Sequence, residues 1–185
     1  MLAGKIVELE ALSLEHGPEL SAIGLEPSLW EVGVERVTTA EEMNAYIARA
    51  IADAKTRAFA VRHRATGRLA GATRYMNMEL AHRRLEIGST WYGLEYQRTG
   101  VNTECKYLLL THAFEEMGLH RVELKTDRRN VRSQDAMRRI GAKEEGTLRR
   151  HMITWSGHVR DTVYFSVIRE EWPEVKAHLE RLMAR

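Results

Sequence analysis

The sequence predicts an α/β (α+β) fold: a sheet of mixed direction flanked by helices. Three observations predict it. Period-two apolar segments alternate with segments of helical period along the chain. Two pairs of adjacent strands meet across short polar turns, ATGR and WSGH, as antiparallel hairpins do. Other strands are separated by whole helices, which allows parallel neighbours. The 185 residues lack any repeat, low-complexity tract or Pro/Gly/Ser linker, so one domain over 1–185 is expected.

Each element has a local cause. KIVELE at 5–10 alternates as a first strand. Leu14 to Gly24 reads as a short helix, and the loop EPSLWEVG follows. Thr38 or Thr39 caps a second helix, with Glu41 or Glu42 three residues on. Its apolar face is read as Met43, Ile47, Ala50 and Ile51. Phe59 to Arg64 and Leu69 to Met78 form the first hairpin, and Leu85 to Tyr92 a fourth strand. The longest helix runs over about 102–117 with Val101, Cys105, Leu108, Leu109, His112 and Phe114 inward, stopped by Gly118. Arg121 to Thr126 is a fifth strand, and Asn130 caps a helix ending at Gly141. Lys143 to Ile153 and Arg160 to Ile168 make the second hairpin. The last helix begins at Glu170, with Pro173 in its first turn, where a missing N–H is no loss.

Composition excludes several classes. One cysteine, Cys105, permits no disulfide framework. Eight histidines are scattered from His16 to His178 without a His-x-x-x-His pair, so no metal is expected. The longest unbroken aliphatic run is Leu108 to Leu110, and the first ten residues hold no apolar leader segment, so a cytoplasmic protein that does not enter a membrane is expected. The net charge of +2 hides an uneven distribution. Residues 1–50 carry three basic and nine acidic side chains, whereas residues 51–150 carry twenty and twelve. A basic middle suits an anionic partner and an acidic front a cationic one, although solvated faces give such blocks too. Residues 121–150, with ten basic and five acidic side chains, raise a nucleic-acid-binding module as an alternative, but no motif of that kind accompanies them.

The segment EIGSTWYGLEYQRTGVNTECKYLLL reads as strand, turn and helix. A helix start exposes unpaired N–H groups and the positive end of its dipole. Gln97 to Asn102 could therefore wrap amides around a phosphate, with Gly100 allowing close approach and Arg98 adding charge. Without a Gly-Lys-Ser/Thr it is not a Walker loop, and many such turns hold no ligand.

This segment resembles the acetyl-CoA loop of the GNAT acetyltransferases, Gln/Arg-x-x-Gly-x-Gly/Ala, with Gln97, Gly100 and Asn102 in its places. Asn102 departs from the Gly/Ala pattern. Downstream, RVELKTDRRNVRSQDAMRRIGAKEEGTLRR matches that family's strand and Asn-capped helix, and GVNTECKYLLLTHAFEEMGLHRVELKTD is similar to the RimJ/RimL-type ribosomal-protein N-terminal acetyltransferases. The resemblance implies a GNAT fold, mostly antiparallel, splayed between its fourth and fifth strands. It implies acetyl-CoA as co-substrate, with pantetheine pairing to Thr90, Trp91 and Tyr92. It places the pyrophosphate on the amides of Arg98, Thr99, Gly100, Val101, Asn102 and Thr103, with Gln97 opening the cofactor-binding loop, and a pantetheine amide on Asn130. Glu86 stands where some members carry the base. The tyrosine acid of many members is here Met137, which donates no proton, and Ser133 is the alternative on the thiol side. Trp30, in the acidic loop, is a candidate acceptor contact, and relatives are often homodimers.

The reaction so implied is direct attack of an amine on the thioester. At pH 7, neutralising an α-amine costs roughly 1 kcal/mol and a lysine about 4.6, so a protein N-terminal α-amine is the preferred acceptor. A polyamine or aminoglycoside is the alternative, and a coenzyme sensor without turnover a third reading. The acidic front is expected to rim the acceptor side.

Overall fold

The structure, a computed structural model, describes residues 1–184. Eight strands form one sheet: β1 (Leu2–Ala3), β2 (Val7–Ala11), β3 (Arg57–His63), β4 (Leu69–Glu79), β5 (Arg84–Tyr92), β6 (Arg121–Asp127), β7 (Lys143–Ile153) and β8 (Val159–Ile168). Five helices flank it: α1 (Gly17–Gly24), α2 (Ala40–Ala52), α3 (Val101–Thr111), α4 (Val131–Arg139) and α5 (Trp172–Met183). The strand order is β1-β2-β3-β4-β5-β6-β8-β7. Every neighbouring pair is antiparallel except β5 with β6, which is parallel. The mixed, mostly antiparallel sheet is the one the sequence predicts.

Two apolar layers hold the sheet, one on each face. On one face Leu85, Ile87, Val122 and Phe165 pack with Leu109 and Leu110 of α3 and Trp172 and Leu179 of α5. On the other, Ala60, Ala72 and Trp91 pack with Leu20 of α1 and Met43, Tyr46 and Ile47 of α2. The C-terminal Trp172–Leu179 stripe is therefore core.

Several expectations shift in detail. The added pair Leu2–Ala3 moves the strand count by one, so the splay falls between β5 and β6. Thr39 caps α2, its Oγ1 accepting from the Glu42 N–H at 3.2 Å. The inward face of α2 carries Tyr46, while Ile51 is exposed. The long helix is regular only to Thr111 and continues as a π turn over His112–Glu116, which the i→i+4 period cannot reveal.

The acidic front does not act as one surface. Glu8 pairs with Arg64, and Glu10 and Glu19 both pair with Arg62 of β3, at the sheet's far side from the splay. These charges neutralise neighbouring arginines, which corrects the expectation of an acidic rim built from the whole segment. Cys105 is fully buried and burial pushes its thiol up, which makes it a core residue and not a nucleophile.

Candidate functional site

The parallel pairing of β5 with β6 covers only Arg84↔Arg121 to Glu86↔Glu123. Beyond Glu86 the strands part, and the edge of β5 from Ile87 to Tyr92 faces the gap. On its other side β5 remains paired to β4, with a bulge: Gly88 lies opposite Arg74 and Trp91 opposite Ala72, so Ser89 and Thr90 crowd against Thr73. Ser89 takes a φ of +45°. Bulges bend strands and re-aim their polar groups. A strand edge with unpaired N–H and C=O groups accepts another extended chain.

The turn after β5 leads into α3. The first regular bond at its start is Glu104 N–H to Gly100 O at 3.0 Å, and the Val101 N–H leans on Thr99 Oγ1 at 3.3 Å. The first amides of a helix have no partner within it and point outward with the positive end of the dipole. Arg98 is exposed beside them at a φ of +58°. Gly100 has an ordinary helical φ of −67°, and a Cβ there would stand 2.6 Å from Ile6 Cδ1. Its smallness thus serves packing below the loop as well as openness above it.

α4 closes the other side of the same start. Asn130 caps it, Oδ1 accepting from the Ser133 N–H at 3.1 Å. Arg132 donates to Gln97 Oε1 at 2.9 Å, while Gln97 Nε2 donates to Tyr92 O at 3.1 Å. Arg139 donates to Thr103 Oγ1 at 3.0 Å. Gln97 is thus a tie between the end of β5 and α4. Arg132 and Arg139 join Arg98 as cations around the helix start. Sequence reasoning passed over both, because only the packing of α4 brings them there.

The residues singled out for chemistry divide between the two faces of the sheet. Leu85 and Ile87 point into the α3 layer, so Glu86 between them faces the α2 side. It is 3% exposed; its Oε2 accepts from Asn77 Nδ2 at 2.8 Å and pairs with Lys125 Nζ at 2.9 Å. Its Oε1 leans toward Gly88, where a Cβ would stand 2.8 Å away. Ser133 and Met137, both half-buried, belong to α4, which packs with α3 on the opposite face. Glu86 and Ser133 therefore stand on opposite sides of the gap.

Trp30 is buried. It packs edge-on against Tyr46 and tilted against Trp91, with ring centroids 5.6 Å apart in each case. Its Nε1 donates to Gly24 O at 2.7 Å, and its carbonyl accepts from Trp155 Nε1 at 2.8 Å. Trp155 sits at the β7–β8 turn under the Arg36 guanidinium. The loop after α1 and the tip of the second hairpin are thereby locked together over the α2 side of the gap.

Lys106 was not singled out by the sequence reading. It is buried in α3, and its ammonium donates to Thr90 Oγ1 at 2.9 Å, which in turn meets Thr73 Oγ1 at 2.8 Å. Desolvation lowers its pKa. A lysine whose folded pKa is depressed weakens the fold while it is charged; the penalty fades as pH rises from the folded value toward the unfolded one. Lys106→Met is therefore expected to raise the melting temperature at pH 7 by a few degrees. The gain should shrink as pH approaches 10.5, the ordinary lysine value. Equal gains at both pH values in thermal unfolding would contradict this.

Comparison with known proteins places these features in context. The family model described as "Acetyltransferase (GNAT) domain" matches residues 7–143. Over 106 residues the chain is 35% identical to a Bacillus subtilis (strain 168) protein named "Putative ribosomal N-acetyltransferase YdaF", covering 57% of each chain. It is 32% identical over 88 residues to "Uncharacterized N-acetyltransferase YnaD" of the same organism, covering 47% of this chain and 50% of that protein. The matched stretches thus span about half the length of these curated relatives. Among solved structures, a GCN5-related N-acetyltransferase from Brucella melitensis is 30% identical with a TM-score of 0.92, covering 98% of this chain and 84% of that one.

Proposed function

Because the chain belongs to the GNAT acetyltransferase family, we propose that it moves an acetyl group from acetyl-CoA to an amine, the N-terminal α-amine of a protein. The observation that carries this reading is the released edge of β5 lying beside the start of α3. The edge at Thr90, Trp91 and Tyr92 suits the amides of a pantetheine arm. The amides of Arg98 to Thr103 suit a pyrophosphate, with Arg98, Arg132 and Arg139 supplying charge. Asn130 has an amide nitrogen to spare beyond its capping bond. Acetyl-CoA, when bound, supplies an activated thioester carbonyl.

The chain's own residues would then divide the work. On the α2 side Glu86 offers Oε1, its Oε2 being occupied by Asn77 and Lys125, to take the proton of the attacking amine directly or through water. On the α4 side Ser133 is the hydroxyl assigned to the leaving thiolate, and Met137 has no proton to give. With one carboxylate oxygen already engaged, an acceptor that is largely neutral at pH 7 asks least of the base. An α-amine needs roughly 1 kcal/mol for this and a lysine about 4.6. The name of the Bacillus subtilis relative, which concerns ribosomal N-acetylation, supports the same choice.

The test is an acetylation assay across N-terminal peptides, polyamines and aminoglycosides, read by thiol release and by mass. Acetylated peptides with unmodified polyamines are expected; the reverse would refute the acceptor class. In the same assay Glu86→Gln should lower kcat on the order of 10²-fold, with acetyl-CoA affinity kept. An unchanged kcat would remove Glu86 from the reaction.

A further inference from the structure

On the α2 face of the gap lies a group of donors that nothing in the fold satisfies. Arg74 of β4 is 7% exposed, and its Nε and Nη2 have no hydrogen-bond partner. Its guanidinium lies 4.1 Å from the centre of the Tyr46 ring, a cation–π contact that neutralises nothing. The Tyr46 hydroxyl and Trp91 Nε1 are likewise buried without partners. These three belong together: the Tyr46 hydroxyl feels both Trp91 Nε1 and the Arg74 guanidinium, without meeting hydrogen-bond geometry to either. The Asp53 carboxylate feels the Arg74 charge but accepts from the Lys55 N–H and the Thr56 hydroxyl, so it does not pair the guanidinium, and buried polar groups are almost always paired.

The place of the cluster gives it meaning. The β4–β5 register sets Arg74 opposite Gly88, and Met76, next on the same face, opposite Glu86. Over Gly88 stand Glu86 Oε1 and Met76 Sδ, which a Cβ there would approach to 2.8 and 2.9 Å. The unsatisfied groups therefore lie on the same face as Glu86 and one step along from it. Arginine and tryptophan N–H groups only donate, and tyrosine can donate. Such a set calls for an oxygen acceptor and repels a second cation.

We propose that Arg74, Tyr46 and Trp91 bind a carbonyl or carboxylate oxygen adjacent to the acceptor's amine. The site thereby selects peptides or amino acids over simple amines and polyamines. This rests on the reading that an amine is acetylated at the gap, and it adds how that amine is chosen. The positive charge also favours the neutral, nucleophilic form of an amine held beside it.

The test is calorimetric binding to the protein–CoA complex with three probes: a serine-initiated tetrapeptide, free alanine, and isopropylamine, which has no oxygen. The tetrapeptide or alanine should bind at least tenfold tighter than isopropylamine, and their ranking tells a carbonyl from a carboxylate. Arg74→Met should erase the preference while keeping or raising the melting temperature, since it replaces an unpaired buried cation by an apolar chain. Tyr46→Phe, which removes one hydroxyl, should reduce the preference severalfold and gives an independent reading. Equal binding of all three probes, no binding of any, or a preference untouched in both variants would overturn the proposal. Because binding is read, a protein that shows the preference yet moves no acetyl group refutes the transfer reading alone. One that acetylates all amines alike refutes this site alone.

Discussion

Replacing Glu104 with alanine is expected to lower the stability of the fold by about 3–5 kcal/mol. Its carboxylate, 5% exposed on α3, accepts three backbone N–H groups, from Lys5 at 2.8 Å, Ile6 at 2.6 Å and Val7 at 2.7 Å. The turn between β1 and β2 is folded around it. A Cβ at Gly4 would stand 2.4 Å from Glu104 Cδ, so a side chain there would displace the carboxylate. Truncation leaves three largely buried amides without an acceptor, each costing about 1–3 kcal/mol, with some relief as water enters. For a chain of this size 1 kcal/mol corresponds to about 2–4 °C, so the melting temperature should fall on the order of 10 °C. Glu104→Gln keeps one acceptor oxygen and should fall between. A loss of less than about 2 °C in Glu104→Ala would show that the N-terminal segment holds itself.

Glu104 also shows where legibility in the sequence ends. Features set by neighbours along the chain are readable. The ATGR and WSGH turns, the Thr39 and Asn130 caps and the turn that ends in Gly100 before α3 all lie where local chemistry puts them. Features set by distant partners are not. Glu104 reads as an ordinary helix glutamate until Lys5 to Val7 fold onto it. Arg132, Arg139 and Lys106 read as surface charges until α4 and β5 close around the helix start. Arg74 sits in β4 where Leu69 to Tyr75 are all buried, and it carries no local mark of being unpartnered. Two residues, Leu2 and Ala3, are too short a run to show a period, which is why the strand count slips by one. The charge blocks mislead for a related reason: a tally along the sequence cannot see that Glu8 and Glu10 spend their charge on Arg64 and Arg62.

Gly100→Val is expected to weaken acetyl-CoA binding at least tenfold, about 1.4 kcal/mol or more. Gly100 is the residue before the first turn of α3, and the amides that would meet a pyrophosphate follow it directly. Its φ of −67° is open to any residue, so valine brings no backbone strain. What it brings is bulk in two directions. One is toward Ile6 Cδ1, which a Cβ would approach to 2.6 Å. The other, through its two methyl groups, is over the exposed amides. The first effect would reduce stability whatever the loop binds, and Ile6 is the flexible end of a side chain that can be shortened. Combining Gly100→Val with Ile6→Ala separates them. The pair should recover most of the melting temperature lost by Gly100→Val, with coenzyme affinity by calorimetry still low. Recovery of affinity together with stability would mean that Gly100 serves only the packing of α3 on the N-terminal segment, and the phosphate-binding reading of Arg98 to Thr103 would fall with it.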